Sequence, residues 1–267
     1  MIKITTVILT KNEEKNIERA IKSVSFSDEI LIIDDYSTDL TLRKIEDLKT
    51  YLKSKVKINV VQSKLNNDFA GQRNRAIEKA EHDWILFLDA DEEVTPELQK
   101  EIILSIGTVG DDRSVYFLKR RDFFWGKELE SGETQKVRTK GLIRLFKKNT
   151  GKWTGVVHEE YVPKVEIITG QLSGFINHFP HQTLSEFISD INIYSDIRAL
   201  ELHNQKVKSN ILQILFFPSI KFIVSYFFRL GFLDGASGFV YAFLMSFYSF
   251  LVRTKLFQIQ NKKQTSI

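Results

Sequence analysis

The sequence predicts an α/β fold with a doubly wound, mostly parallel sheet flanked by helices, followed by a helical appendage. Three observations predict it. The first half alternates short apolar, β-branched runs with segments whose apolar residues recur at helical spacing. The apolar runs are nearly continuous, as strands are when both faces of a parallel sheet are covered. Beyond residue 205 the composition changes: residues 206–267 hold 8 Lys/Arg, a single acid (Asp234) and 11 of the 21 Phe. Because the whole chain is only +4, residues 1–205 are net acidic. The expected division is therefore an α/β domain over 1–205 and a basic, Phe-rich helical region over 206–267.

The elements follow in order. KITTVILT (3–10) reads as a strand, and NEEKNIERAIKSV after it as a helix with Ile17, Ala20, Ile21 and Val24 recurring on one side. EILIID (29–34) is the second strand. STDLTLRKIEDL opens with capping residues and puts Leu42, Ile45 and Leu48 on one helical face. KINVVQ (57–62) with FAGQRNRAIEKA makes a third pair, and WILFLD (84–89) with TPELQKEIILSI a fourth. In the last, Thr95 is the expected N-cap and Pro96 lies in the first turn. Repeated βα units of this length imply the doubly wound sheet. No GxGxxG follows the first strand, which argues against a dinucleotide site. The absence of cysteine excludes disulfides and thiolate metal sites. The start, MIKITTVILTKNEE, lacks the basic, apolar and small-residue regions of a secretory signal, so the bulk is expected in the cytoplasm.

In such sheets ligands bind beyond the carboxyl ends of the strands. TKNEE follows the first strand, DDYSTD the second and DADEE the fourth, which makes one edge acidic. Asp89 and Asp91 are two apart in extended backbone and so point the same way. Two carboxylates with open coordination positions suit Mg2+ or Mn2+, which then takes phosphate oxygens as further ligands. A solvated turn leading into the Thr95 cap accounts for Asp91, Glu92 and Glu93 as well. Asp34 and Asp35 are acceptors fixed at a strand end, suited to a nucleobase and ribose or to an Asx turn. Arg73 and Arg75 suit a diphosphate, or an exposed helix face.

Taken together, TVILTKNEEKNIERAIKSV, ILIIDDYSTDLT, AGQRNRAIEKA and WILFLDADEEVTPEL resemble the family-2 glycosyltransferases of GT-A fold, in order over residues 4–98. The resemblance implies that Thr10, Asp34 and Asp35 contact the nucleoside and that Arg73 lies near the diphosphate. It also implies that Asp89 and Asp91 form the metal-binding DxD, with Asp89 at the nucleotide too. Tyr36 stands where many relatives have Gly. RLFKKNTGKWTGVVHEEYV (144–162) resembles the subgroup related to lipopolysaccharide core glucosyltransferases, and INHFPHQTLSEFISDINIYSDIRA does so more loosely.

An inverting transfer needs a carboxylate to accept the proton of the attacking hydroxyl. Glu159 is the candidate base, with Glu160 and His158 beside it; a polar loop is the plainer reading of HEE. His158, His178 and His181 are possible further metal or phosphate ligands, or ordinary hydrogen-bonded histidines. The tail offers ILQILFFPSIKFIVSYFF (211–228), with Pro218 and Lys221 inside it, and GFVYAFLMSFYSFLV (238–252), separated by Gly231, Asp234, Gly235 and Gly238. A span needs about 20 apolar residues, so interfacial or re-entrant helices on an anionic membrane are expected.

The expected protein is a metal-dependent inverting glycosyltransferase. It moves a sugar, expected to be glucose, from a UDP donor to a lipid-linked or cell-envelope glycan. It would work at the cytoplasmic face of the inner membrane, with no nucleic-acid partner. The rivals are a non-catalytic membrane-bound scaffold with a nucleotide pocket, and a nucleotidyltransferase, whose Gly-rich phosphate loop is missing from TTVILTKNEE.

Overall fold

The computed structural model describes residues 2–66, 68–155, 159–180 and 183–262. Four strands, β1 (Ile4–Thr10), β2 (Glu29–Asp34), β3 (Lys57–Gln62) and β4 (Trp84–Asp89), pair in parallel in the order β3-β2-β1-β4. The helices between them are α1 (Ile17–Ser23), α2 (Thr41–Leu52) and α3 (Phe69–Lys79). α1 is shorter than its apolar pattern suggests, because residues 11–16 form a turn instead of a first helical turn. α2 opens on Leu40 without a side-chain cap, while the Asp39 carboxylate accepts the N–H of Thr41 at 3.0 Å. α4 (Pro96–Gly107) follows the short strand β5 (Glu92–Val94) and has the expected Thr95 cap, whose hydroxyl accepts from Leu98 N–H at 3.3 Å.

Beyond β4 the sheet becomes antiparallel. β8 (Leu142–Lys147) pairs with β4, then come β6 (Val115–Phe124), β11 (Thr169–His178) and β5, with β7 (Lys127–Leu129) on β6. The sheet is thus mixed, parallel over the four strands that the βα pattern announces. β9 (Gly151–Thr154) and β10 (Glu160–Pro163) form a separate antiparallel pair. One face of the main sheet carries Ile8, Ile32, Leu88, Leu118 and Ile176 against α1, α2 and α4; the other carries Val7, Phe87 and Phe146, on which Trp153 of β9 packs. Side chains alternate across a strand, so Asp89 continues the Phe87 face.

The chain divides into two compact units, Met1–Arg121 with Val137–His178, and Asp122–Lys136 with Phe179–Ile267. The short helix α5 (Gln135–Lys140) lies at a crossing of the chain between them. In the second unit α6 (Leu184–Asn204) packs along α8 (Gly235–Lys262): Phe187 and Ile191 cluster with Leu244, and Ala199 and Leu202 with Val252 and Leu256. The packing division therefore falls before α6, whereas the change of composition falls after it, since α6 is an ordinary mixed-polarity helix.

α7 (Ile211–Ile223) contains Pro218, continues as a π-helical turn over Val224–Phe228, and buries none of its own residues. α8 is longer than the 15-residue apolar run because Gly235 and Gly238 lie within its first turn rather than interrupting it. A Cβ on Gly238 would come within 2.0 Å of the Gly231 carbonyl oxygen, so only glycine permits that approach. Ile211–Phe228 and Gly231–Asn261 are each long and apolar enough to cross a membrane.

Candidate active site

Strand register brings the acidic edge together. In the parallel ladder Thr10 lies opposite Asp34 and Leu9 opposite Asp89, so the ends of β1, β2 and β4 are level. Asp34 is fully buried and accepts from the Ser37 N–H at 3.2 Å and from Gln62 Nε2 at 3.2 Å. Asp35 accepts from Lys11 Nζ at 2.8 Å and from the Leu65 N–H at 3.0 Å, while its own N–H donates to the Thr10 carbonyl at 2.9 Å. Among the described residues the buried Thr10 Oγ1 has no hydrogen-bond partner. Tyr36, at φ 53°, is held in the left-handed region that a glycine would occupy without strain.

At the centre of the site, two arginines grip one carboxylate. Arg73 Nη2 donates to Asp89 Oδ1 at 2.8 Å, and Arg144 Nη2 donates to Asp89 Oδ2 at 2.7 Å. Arg73 Nε also donates to Glu159 Oε1 at 2.9 Å. Its guanidinium carbon sits 4.8 Å from the Trp153 ring centroid and 5.4 Å from that of Phe87, which walls it with aromatic faces. Burial opposes ionisation of Asp89, but the Arg144 and Arg73 charges outweigh it and hold the carboxyl well below the usual range. Burial likewise opposes the charge on Arg144, and Asp89 and Glu92 override it.

Glu92 belongs to this network. It is 0% exposed; Oε2 accepts the Asp89 N–H at 3.0 Å, and Oε1 takes Arg144 and Arg120, both at 3.4 Å. Glu92 is therefore a buried, paired carboxylate and not a solvated turn residue. Asp91 lies at the other side of the turn, with Oδ2 3.2 Å from His178 Nε2. Burial raises the Asp91 pKa, and the opposing His178 interaction outweighs it, for a net downward shift. Of the two groups, the Asp91 carboxylate is the donor suited to Mg2+ or Mn2+. Among the described residues no group of three or more His, Asp or Glu converges.

Of the HEE sequence, Glu159 reaches Arg73, while Glu160 is exposed on β10 opposite Thr154. His158 and His181 lie outside the described residues. Arg75 remains on the exposed side of α3, 3.6 Å from Asp68. Sequence reasoning missed Arg144, Arg120 and the role of Glu92. Arg144 lies in a strand whose register slips: Leu145 pairs with Tyr116 and Ile143 with Phe117, which leaves Arg144 unopposed. Such a bulge re-aims a side chain, and a strict alternation pattern does not reveal it. The available signal was an arginine in an otherwise apolar run, GLIRLF.

The chain matches the family described as Glycosyl transferase family 2 over residues 5–158, more than half its length. An uncharacterized glycosyltransferase of Rickettsia typhi is 28% identical over 280 aligned positions, covering 100% of this chain and 91% of the relative. The lipopolysaccharide core biosynthesis glycosyltransferase LpsC of Rhizobium meliloti is 27% identical over 258 positions, 96% of this chain and 92% of that one. Among solved structures, S. aureus TarS 1-349 in complex with UDP-GlcNAc superposes with a TM-score of 0.50 at 15% identity, covering 98% and 92% of the two chains. The mannosyltransferase PcManGT of Pyrobaculum calidifontis, in complex with GDP-Man and Mn2+, gives 0.52 at 13% identity over 99% and 76%. The strand register that levels Thr10, Asp34 and Asp89, and the match across residues 5–158, carry one conclusion: the chain belongs to glycosyl transferase family 2.

Proposed function

We propose that this glycosyltransferase transfers a sugar, with inversion, from a UDP-sugar to a lipid-linked or cell-envelope glycan, glucose being the sugar expected. The observation that carries the proposal is the Asp89–Arg73–Glu159 chain, which ties the edge suited to a nucleotide to a carboxylate suited to proton abstraction. Asp34, Asp35 and Thr10 receive the nucleoside. Arg73 and Arg144 provide positive charge beside the diphosphate, where charge develops as the nucleotide leaves. Glu159 accepts the proton of the acceptor hydroxyl, and its neighbour Glu160 stands away from the arginines. Asp91, with His178 and the neighbouring Asp89, would hold a divalent cation, which when bound neutralises the leaving diphosphate.

The lipopolysaccharide core activity in the name of the Rhizobium relative, aligned over 96% of this chain, supports an envelope glycan as acceptor class. The exposed apolar residues of α7 and of the π-helical turn after it, among them Leu212, Phe216, Ile220 and Phe227, support attachment to a membrane. Lys221 and Arg229 both pair with Glu133, at 2.6 and 3.0 Å, which sets a polar strap against the C-terminal end of α7. A polar segment there favours peripheral or re-entrant attachment over a span, because charged groups are costly at bilayer depth. Incubating the purified protein with a panel of UDP-, GDP- and dTDP-sugars, and measuring release of the nucleoside diphosphate, tests the donor assignment. Turnover confined to a non-uridine donor would overturn it.

A further inference from the structure

Among the described residues, Arg73 touches both the DxD carboxylate and the candidate base. Its Nε donates to Glu159 and its Nη2 to Asp89, at 2.9 and 2.8 Å. These two nitrogens form one lateral edge of the guanidinium, the edge that matches two oxygens of a phosphate in a bidentate bond. Here two carboxylates divide it between them. The third nitrogen, Nη1, is buried and has no hydrogen-bond partner among the described residues. Packed against Trp153 and Phe87, the guanidinium can exchange partners only by small movements in place. A diphosphate arriving beside Asp89 therefore competes with Glu159 for the same edge.

We infer that Arg73 is a shared positioning residue: it holds Glu159 while the nucleotide is absent and turns that edge to the donor diphosphate when it binds. The exchange frees the Glu159 carboxylate to meet the acceptor hydroxyl. The inference rests on the reading of Glu159 given above and adds to it the partner exchange at Arg73. A structural ion pair that persists in the loaded enzyme makes the opposite prediction, because nothing is then gained by removing Glu159.

Calorimetric titration of the full chain with UDP, GDP and dTDP in the presence of magnesium distinguishes the two. Glu159→Gln should bind the nucleoside diphosphate on the order of tenfold more tightly than wild type, the worth of one released charge-assisted bond. In an Arg73→Met background the same substitution should bring no gain, because the shared partner is gone. Arg73→Leu serves the same arm if the methionine variant does not fold. Unchanged or weaker binding by Glu159→Gln overturns the inference. So does an equal gain in the Arg73 variant, which would mean simple relief of charge repulsion. Wild-type protein that binds none of the three nucleotides removes the underlying donor reading, a failure distinct from either.

Discussion

Arg144 reaches Asp89 from a bulged position in β8, with Nη2 2.7 Å from Oδ2, and the same nitrogen approaches Glu92 at 3.4 Å. An arginine that serves two carboxylates, one of them fully buried, is a structural charge as well as a candidate phosphate ligand. Replacing it by methionine leaves Glu92 paired only with Arg120 at long range. Arg144→Met is expected to destabilise the protein by about 3 kcal/mol, as removal of one partner from a buried ion pair does. Chemical denaturation checks this. A loss below about 0.5 kcal/mol, the usual range of a surface substitution, would mean the pair is solvated and stabilises nothing.

Asp91 pairs with His178 at 3.2 Å and feels Arg120 less strongly than His178, so its substitution is expected to affect ligand binding more than stability. Asp91→Asn should abolish turnover and the dependence of UDP binding on added Mg2+ or Mn2+, with the melting temperature close to wild type. Full activity of this variant, or of wild type in excess chelator, removes the cation from the reaction.

Gly238 admits the Gly231 carbonyl oxygen at a distance that no Cβ permits. Gly238→Ala is therefore expected to force the 231–238 turn apart and lower stability by more than 1 kcal/mol, the order of an overpacking cost. Thermal unfolding measures it. A wild-type melting temperature would show that the turn relaxes freely.

The apolar surface of α7 and the positive charge of residues 206–267 should keep the protein on membranes of expressing cells. Alkaline carbonate is expected to release it, and high salt to weaken binding without ending it, because the apolar contribution is not screened. Release by detergent alone would mean that the tail spans the bilayer.

Much of this was legible in the sequence, for physical reasons. β1, β2 and β4 are buried on both faces, so their apolar runs stand out, and the Thr95–Pro96 cap is a local hydrogen-bond pattern that needs no tertiary context. The antiparallel half was not legible, because β6 mixes Lys119, Arg120 and Arg121 into its run and β8 carries a bulge. In the site, Asp34, Asp35, Asp89 and Asp91 are visible as acids at strand ends. Glu92 reads as solvated, since only the distant Arg120 and Arg144 justify its burial. That Arg73 bridges Asp89 and Glu159 is a contact across 86 residues and left no local trace.

The reading stands most directly on Glu159. On whichever nucleotide sugar proves to be the donor, Glu159→Gln should lower the rate of sugar transfer by roughly 10²–10⁴-fold, the usual worth of positioned proton transfer, with nucleotide binding retained or tighter. Glu160→Gln should transfer at close to the wild-type rate. Wild-type transfer by Glu159→Gln, or the large loss appearing in Glu160→Gln instead, would contradict the account.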